Sequence, residues 1–227
     1  MDLKGKRIAI TGANGALGRA VSQKALALGA EPVLLDLAFG EQGADSSTGV
    51  ERHSLDLRDA AAVKWCFAEI GAVDGVFNLA GGFDMGPAVH EVTDESWEFL
   101  FDINVKTMHN VVRAVVPGML DRGRGAIVNV GAAGALSGLP HMGAYCASKS
   151  VVMRLTESLS AELKQKNINV NAVLPGVIDT PANRRAMPDA DVSQWVATED
   201  LASAICFLAS GAACAIHGAL IPVTGRA

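Results

Sequence analysis

The sequence predicts an α/β fold, a doubly wound parallel sheet with helices on both faces, built as one domain over residues 1–227. Three observations predict it. Short β-branched runs alternate with longer helical patterns, which is the signature of parallel strands joined by crossover helices. A glycine cluster separates the first strand from the first helix, and an acidic residue, Asp36, closes the second strand. The length is ample for a core without metals or disulfides. With 50% hydrophobic residues and 19% charged ones, the chain is not disordered.

Each element follows from its local pattern. Residues 7–11 form a compact apolar strand, and 16–28 a helical pattern that Gly29 stops. A second strand covers 32–36, with Pro32 at its very start, where a missing N–H does least harm. Residues 39–50 are rich in Gly, Ser and Asp and read as a loop; a third strand at 52–56 and a helix near 59–70 follow. The fourth strand, 75–79, runs into Ala80-Gly81-Gly82. Thr93 is placed to cap one long helix to about Leu120, ended or bent by Pro117. Then come a fifth strand at 126–130, an amphipathic helix at 145–164 and a sixth strand at 169–174 closed by Pro175-Gly176. A last helix at 198–210 and a last strand at 219–223 complete the chain.

The first strand-to-helix turn reads Thr11-Gly12-Ala13-Asn14-Gly15-Ala16-Leu17-Gly18. Glycines let the backbone turn tightly and approach a pyrophosphate, and the helix N-terminus offers that anion free N–H groups and a positive dipole end. Alone such a turn is a weak signal. Here it follows a strand, opens a helix, and precedes Asp36 by the distance that suits a hydrogen bond to the adenosine ribose 2′-OH. That carboxylate would repel a 2′-phosphate, and Asn14, Leu37 and Ala38 bring no positive charge to offset it, so NAD(H) is expected ahead of NADP(H).

Tyr145 and Lys149 stand four residues apart on one helix face, and Tyr145 is the only tyrosine in the chain. An ammonium beside a phenol lowers the phenol's pKa and makes it a better proton donor near neutrality. With the glycine loop, this pair makes the chain resemble the short-chain dehydrogenase/reductase family along its whole length, and so implies a Rossmann-like sheet. Asp56-Leu57 resembles the family's adenine contact, Asn78-Leu79-Ala80-Gly81 its element after the fourth strand, and Pro175-Gly176 with Thr180 its nicotinamide segment. The resemblance implies Tyr145 as general acid/base and Lys149 as the nicotinamide-ribose contact that lowers the Tyr145 pKa. It implies Asn104 as the support of a water near Lys149, and Tyr145 itself as lying against the cofactor.

Two positions depart from the family pattern. The usual serine, thirteen residues before the tyrosine, is Ala132, which has no donor for a substrate carbonyl. Ser137 could replace it only if its loop folds back. A usual loop glycine is Ala16, with Gly15 one step early. Both departures resemble the dihydropteridine reductases, as do Ala80 to Phe83 and the irregular run Asp179 to Asp191 followed by Trp195. The resemblance implies an electron-poor substrate, such as a quinonoid dihydropterin, lying flat near Phe83, Ala132, Met142, Met187 and Trp195. Each of those has a blander reading as loop packing. An ordinary alcohol dehydrogenase or ketone reductase is the alternative, and a catalytically weak NAD-binding regulatory protein the third.

The remaining expectations come from composition. A formal charge of −5 argues against a nucleic-acid surface. No apolar run approaches the roughly 20 residues of a membrane span, and the N-terminal residues carry no long apolar signal core, so a cytoplasmic protein is expected. Cys66, Cys146, Cys206 and Cys214 show no zinc spacing and read as reduced thiols, and the five histidines suggest no metal. His141, near the expected chemistry, receives no role. The apolar surface of the helices at 93–120 and 145–164 exceeds one sheet contact, and in this family such helices pair across a two-fold axis. A homodimer or homotetramer is expected.

Overall fold

Alternation along each strand sorts the core into two layers. In β1 (Arg7–Thr11), Ile8 and Ile10 pack on one face while Ala9 packs on the other. In β2 (Glu31–Asp36), Leu34 joins the first face and Val33 and Leu35 the second. The same parity holds in β5 (Gly125–Val130), where Val128 opposes Ile127, and in β6 (Ile168–Pro175), where Val173 opposes Ile168 and Val170. Such strands are buried on both sides and read as continuous apolar runs. With β3 (Glu51–Ser54), β4 (Gly75–Asn78) and β7 (Leu220–Val223), they make a seven-stranded parallel sheet in the order β3-β2-β1-β4-β5-β6-β7. The computed structural model describes residues 1–39 and 49–226; most of the loop expected at 39–50 lies outside the described residues.

Helix α1 (Ala16–Ala27) and α7 (Thr198–Leu208) cover the first face through Val21, Ala25, Leu201 and Ile205. Helices α2 (Ala60–Ile70), α4 (Thr107–Arg122) and α5 (Gly143–Leu163) cover the second through Val63, Phe67, Val111, Val115 and Leu163. Burying each such side chain contributes about 1.5–3 kcal/mol, enough for packing to override weak local propensities. The sheet order reverses between β1 and β4, and in open α/β sheets ligands bind in the crevice at that reversal, beyond the carboxyl ends of the strands.

The structure corrects several expected boundaries. The single helix expected from Thr93 to Leu120 is α3 (Asp94–Phe101), a π-helical turn at Asp102–Lys106 and then α4. Thr93 does cap it, its Oγ1 accepting from the Ser96 amide at 3.3 Å. Pro117 does not end α4, which runs on to Arg122, because buried Val115 and Met119 anchor both sides of a proline that costs the helix one backbone bond. Strand β3 stops at Ser54, so Asp56 lies beyond it. A short helix, α6 (Pro181–Ala186), forms inside the irregular 176–195 segment, capped by the Thr180 hydroxyl on the Asn183 amide at 3.1 Å. The foot of that segment is closed by an isolated parallel bridge between Ile178 and Val196.

Candidate active site

The glycine loop is built by exclusion of side chains. Gly12 has φ +63°, and a Cβ there would lie 2.9 Å from the Ala80 amide nitrogen across the β1–β4 reversal. A Cβ on Gly18 would overlap the Gly12 carbonyl and the Ala13 backbone, so only glycine lets α1 start this close to the loop. Thr11 ties the two sides together: its Oγ1 accepts from the Leu79 and Ala80 amides at 3.0 and 3.1 Å. Helix α1 follows Gly15, which caps it with no side chain, and has no acidic residue in its first turn. Among the described residues its first-turn amides have no side-chain acceptor, which is the condition for an anion site. This cradle fits a dinucleotide pyrophosphate on Gly12, Asn14, Gly15, Ala16, Leu17 and Gly18.

Asp36 stands at the end of β2 beside this loop. Its Oδ2 accepts from the Asn14 amide at 3.0 Å and its Oδ1 from the Ala38 amide at 2.9 Å, which fixes the carboxylate at the loop's edge. Sequence reading missed Arg19, one turn into α1, whose guanidinium donates to the Asn14 carbonyl and reaches the Asn14 side-chain oxygen at 3.4 Å. The signal was available, since helical side chains lean toward the N-terminus.

Three expected cofactor residues face other duties. Asp56 is gripped by Arg58 through three side-chain contacts of 3.0, 3.2 and 2.8 Å, which hold its carboxyl below the usual range. Asn78 is buried and donates to Asn129 Oδ1 at 2.8 Å, while its own Oδ1 has no partner among the described residues. Leu57 is buried beneath α4, its carbonyl accepting from Asn110 at 2.9 Å.

Around Tyr145 the surroundings are apolar. Its ring meets the Phe83 ring edge-on, 4.9 Å between centroids and 81° between planes. Ala132, Ala135, Cys146 and Met153 form a small buried cluster on which Ala133, Met142 and Tyr145 pack. Among the described residues the Tyr145 hydroxyl has no hydrogen-bond partner. Burial pushes the phenol up to about 12, with a smaller push from Cys146. Lys149 is buried too, and burial pulls its ammonium down to about 8. Its Nζ donates to the Val130 carbonyl at 3.0 Å. The expectation that Lys149 lowers the Tyr145 pKa is not met: desolvation raises the phenol, and the Lys149 ammonium is not among the causes of that shift.

Asn104 lies in the π-helical turn, and the extra residue of that turn rotates it out of register with α3 and α4. Its Oδ1 accepts from the Gly82 amide at 3.0 Å, and its Nδ2 donates to the Gly82 carbonyl at 3.0 Å and to Ser148 Oγ at 3.1 Å. The Asn104 amide and the Lys149 ammonium converge on Gly81, where a Cβ would sit 2.8 and 3.1 Å from them. Ser148, a further residue missed in the sequence, relays the contact by donating to the Tyr145 carbonyl at 2.8 Å. Its position one step before Lys149 was the available signal.

The remaining candidates flank this centre. Phe83 is 56% and Met187 37% exposed, so both surfaces are open to a ligand. Ser137 is exposed, follows a 3-10 turn at Ala133–Leu136, and makes no recorded hydrogen bond among the described residues. Pro175 ends β6, Gly176 packs on Thr224, and Thr180 caps α6. The Trp195 backbone lies against Gly225, at the foot of the segment rather than its tip.

The family description "short chain dehydrogenase" matches residues 6–191. The chain belongs to the short-chain dehydrogenase family. Among similar curated members of that family, 2-(S)-hydroxypropyl-CoM dehydrogenase 3 of Xanthobacter autotrophicus is 32% identical, the alignment covering 98% of this chain and 96% of the relative. L-xylulose reductase of Bos taurus is 30% identical, over 99% of this chain and 98% of its own. Solved short-chain dehydrogenase structures superpose closely. A candidate NAD(P)-dependent gluconate 5-dehydrogenase from Beutenbergia cavernae, with NADP bound, gives a TM-score of 0.90 at 28% identity, covering 99% and 97% of the two chains. Carveol dehydrogenase from Mycobacterium avium, with NAD bound, gives 0.84 at 26%, covering 98% and 97%. These short-chain dehydrogenase relatives carry names of alcohol and sugar enzymes; a pteridine reductase is not among them. Among the described residues no helix is long and apolar enough to cross a membrane, and no cluster of His, Cys, Asp and Glu could hold a metal ion.

Proposed function

We propose that this short-chain dehydrogenase is an NAD(H)-dependent oxidoreductase acting on a small carbonyl, quinonoid or imine-type substrate that is already electron-poor, a quinonoid dihydropterin being one member of that class. The observation that carries this reading is the lone phenol of Tyr145 in an apolar wall, with Ala132 where a second donor would stand. A substrate there receives one hydrogen bond, so it must supply its own activation. Tyr145 is the proton donor, and its raised pKa keeps the proton in place through neutral pH. Lys149, held by Val130, directs its charge toward the cofactor ribose, and Asn104 fixes Gly82 and thereby the Phe83 wall. Phe83 and Met187 flank the substrate.

The bound nicotinamide supplies or accepts the hydride. Gly12 to Gly18 hold the pyrophosphate, and Asp36 the ribose hydroxyls. Asp56, Leu57, Asn78, Ala80 and Gly81 border the adenine and nicotinamide ends, with Pro175, Gly176 and Thr180 beyond. NAD(H) is preferred over NADP(H), because Asp36 would oppose a 2′-phosphate while Arg19 is turned onto Asn14. Four free cysteines suit a reducing cytoplasm. A homodimer or homotetramer is kept in this reading from the family resemblance alone, because Met108, Val112 and Val152 of α4 and α5 are already buried within the single chain.

The names of the relatives favour a second reading, an alcohol or sugar dehydrogenase in which Ser137 or a water replaces the missing hydroxyl. Initial rates with NADH on quinonoid dihydropterin, an α-diketone, a simple ketone and a ketose separate the two. Turnover confined to the first two supports the proposal, and equal or better turnover of the ketose refutes it. Tighter binding of NADPH than NADH would refute the role given to Asp36.

A further inference from the structure

A groove of about 360 Å³ opens at the end of the sheet opposite Tyr145, between the amino ends of β1, β5 and β6 and the end of α7. Its volume lies in the range of small-molecule sites. Lys6, Arg124 and His217 line it, with Asp74 as its one carboxylate among the described lining residues. That carboxylate is already engaged: Oδ2 accepts from the Arg7 amide at 3.1 Å and Oδ1 pairs with Arg124 Nε at 3.3 Å. Asn169 is engaged as well, donating to the Ala213 carbonyl at 2.8 Å. Lys6 Nζ is pinned to the wall by the Ala209 carbonyl at 2.9 Å, which leaves two of its donor hydrogens unassigned. The terminal nitrogens of Arg124 make no recorded contact among the described residues. The groove is thus an excess of cationic donors in a chain whose formal charge is −5.

We propose that this groove binds a small phosphomonoester, its phosphate held by Lys6, Arg124 and His217 and its organic part filling the remaining space. A tetrahedral oxyanion presents several acceptor oxygens, and a guanidinium, an ammonium and an imidazole lining one groove suit it better than they suit a planar carboxylate. This inference is independent of the catalytic reading, because the groove shares no residue with the active site.

Cys214 supplies the readout, since it lines the groove and is exposed whereas Cys66, Cys146 and Cys206 are buried. In the folded protein an aromatic disulfide reagent therefore reports on one thiol, and Cys214→Ser should abolish that signal. The modification rate is followed against inorganic phosphate, glycerol 3-phosphate and glycerol at constant ionic strength set with chloride. The expected result is saturable protection by the phosphates, about 10-fold at ten times the dissociation constant, none by glycerol, and loss of protection in K6Q/R124Q. Tighter protection by glycerol 3-phosphate than by phosphate supports the organic ligand, whereas equal protection reduces the site to one for phosphate alone and overturns the assigned organic part. Unprotected Cys214 in the unaltered chain overturns the proposal without recourse to a variant. So does thermal stabilisation by phosphate with unchanged Cys214 kinetics, which would place the anion on the glycine loop.

Discussion

One hydroxyl separates this site from its usual form. Ala132 is buried in extended backbone within the apolar cluster on which Tyr145 packs, so a serine there would add one hydroxyl to that wall. Ala132→Ser is expected to raise kcat/KM for a simple ketone by about 10²-fold, the scale of one oriented donor, while leaving an electron-poor substrate within a few fold. An unchanged ketone rate would show that the missing donor is not what limits that chemistry. Tyr145→Phe removes the only phenol in the chain, so no neighbour can substitute. Its kcat is expected to fall by about 10²–10⁴, with NADH affinity, measured by fluorescence titration, within a few fold of the parent. The pairing of Tyr145 with Lys149 was legible from their spacing. The direction of the Tyr145 shift was not, because spacing reports neighbours and says nothing of how much water is removed.

At the scale of elements, the glycine loop and the π-helical turn do different work. Gly12 is held at φ +63° and is blocked by Ala80, two independent obstacles to a side chain. Gly12→Ala is expected to weaken NADH binding at least about 10-fold and to destabilise the fold by about 1–3 kcal/mol, read by fluorescence titration and by urea unfolding. Retained affinity would mean that the loop does not carry the pyrophosphate. Most strands, the loop and its helix were legible, since each rests on a local period or a local steric need. The π-helical turn was not: residues 93–120 carry a continuous helical pattern, and the interruption arises where Asn104 gains three hydrogen bonds to Gly82 and Ser148. Those partners lie 22 and 44 residues away.

At the scale of the whole molecule, a buried lysine is a stability cost that depends on pH. Lys149 falls from the ordinary 10.5 to about 8, which corresponds to about 3 kcal/mol against the folded state at neutral pH. Between those two values the unfolded chain holds the proton and the folded chain does not, so stability rises with pH there. Lys149→Met should accordingly be the more stable protein by up to about 3 kcal/mol at pH 7, with the gap shrinking to under about 1 kcal/mol by pH 10. Urea unfolding of both proteins at the two pH values checks this, and a gap independent of pH would show that Lys149 is not desolvated in the fold.

What the sequence determined by itself is the sheet, its parallel sense, the glycine loop and the placing of Tyr145 and Lys149 on one helix face. These depend on periodicity, on glycines that admit no Cβ, and on spacing along one helix, all of which are local. Only the tertiary structure decided how those groups are surrounded. Burial raised Tyr145 and lowered Lys149, Asn104 was drawn onto Gly82, and a cationic groove was assembled from residues between Lys6 and His217. Each of these outcomes is set by groups far apart in the chain, and the free energy of a charge or a hydrogen bond depends on the water those groups exclude.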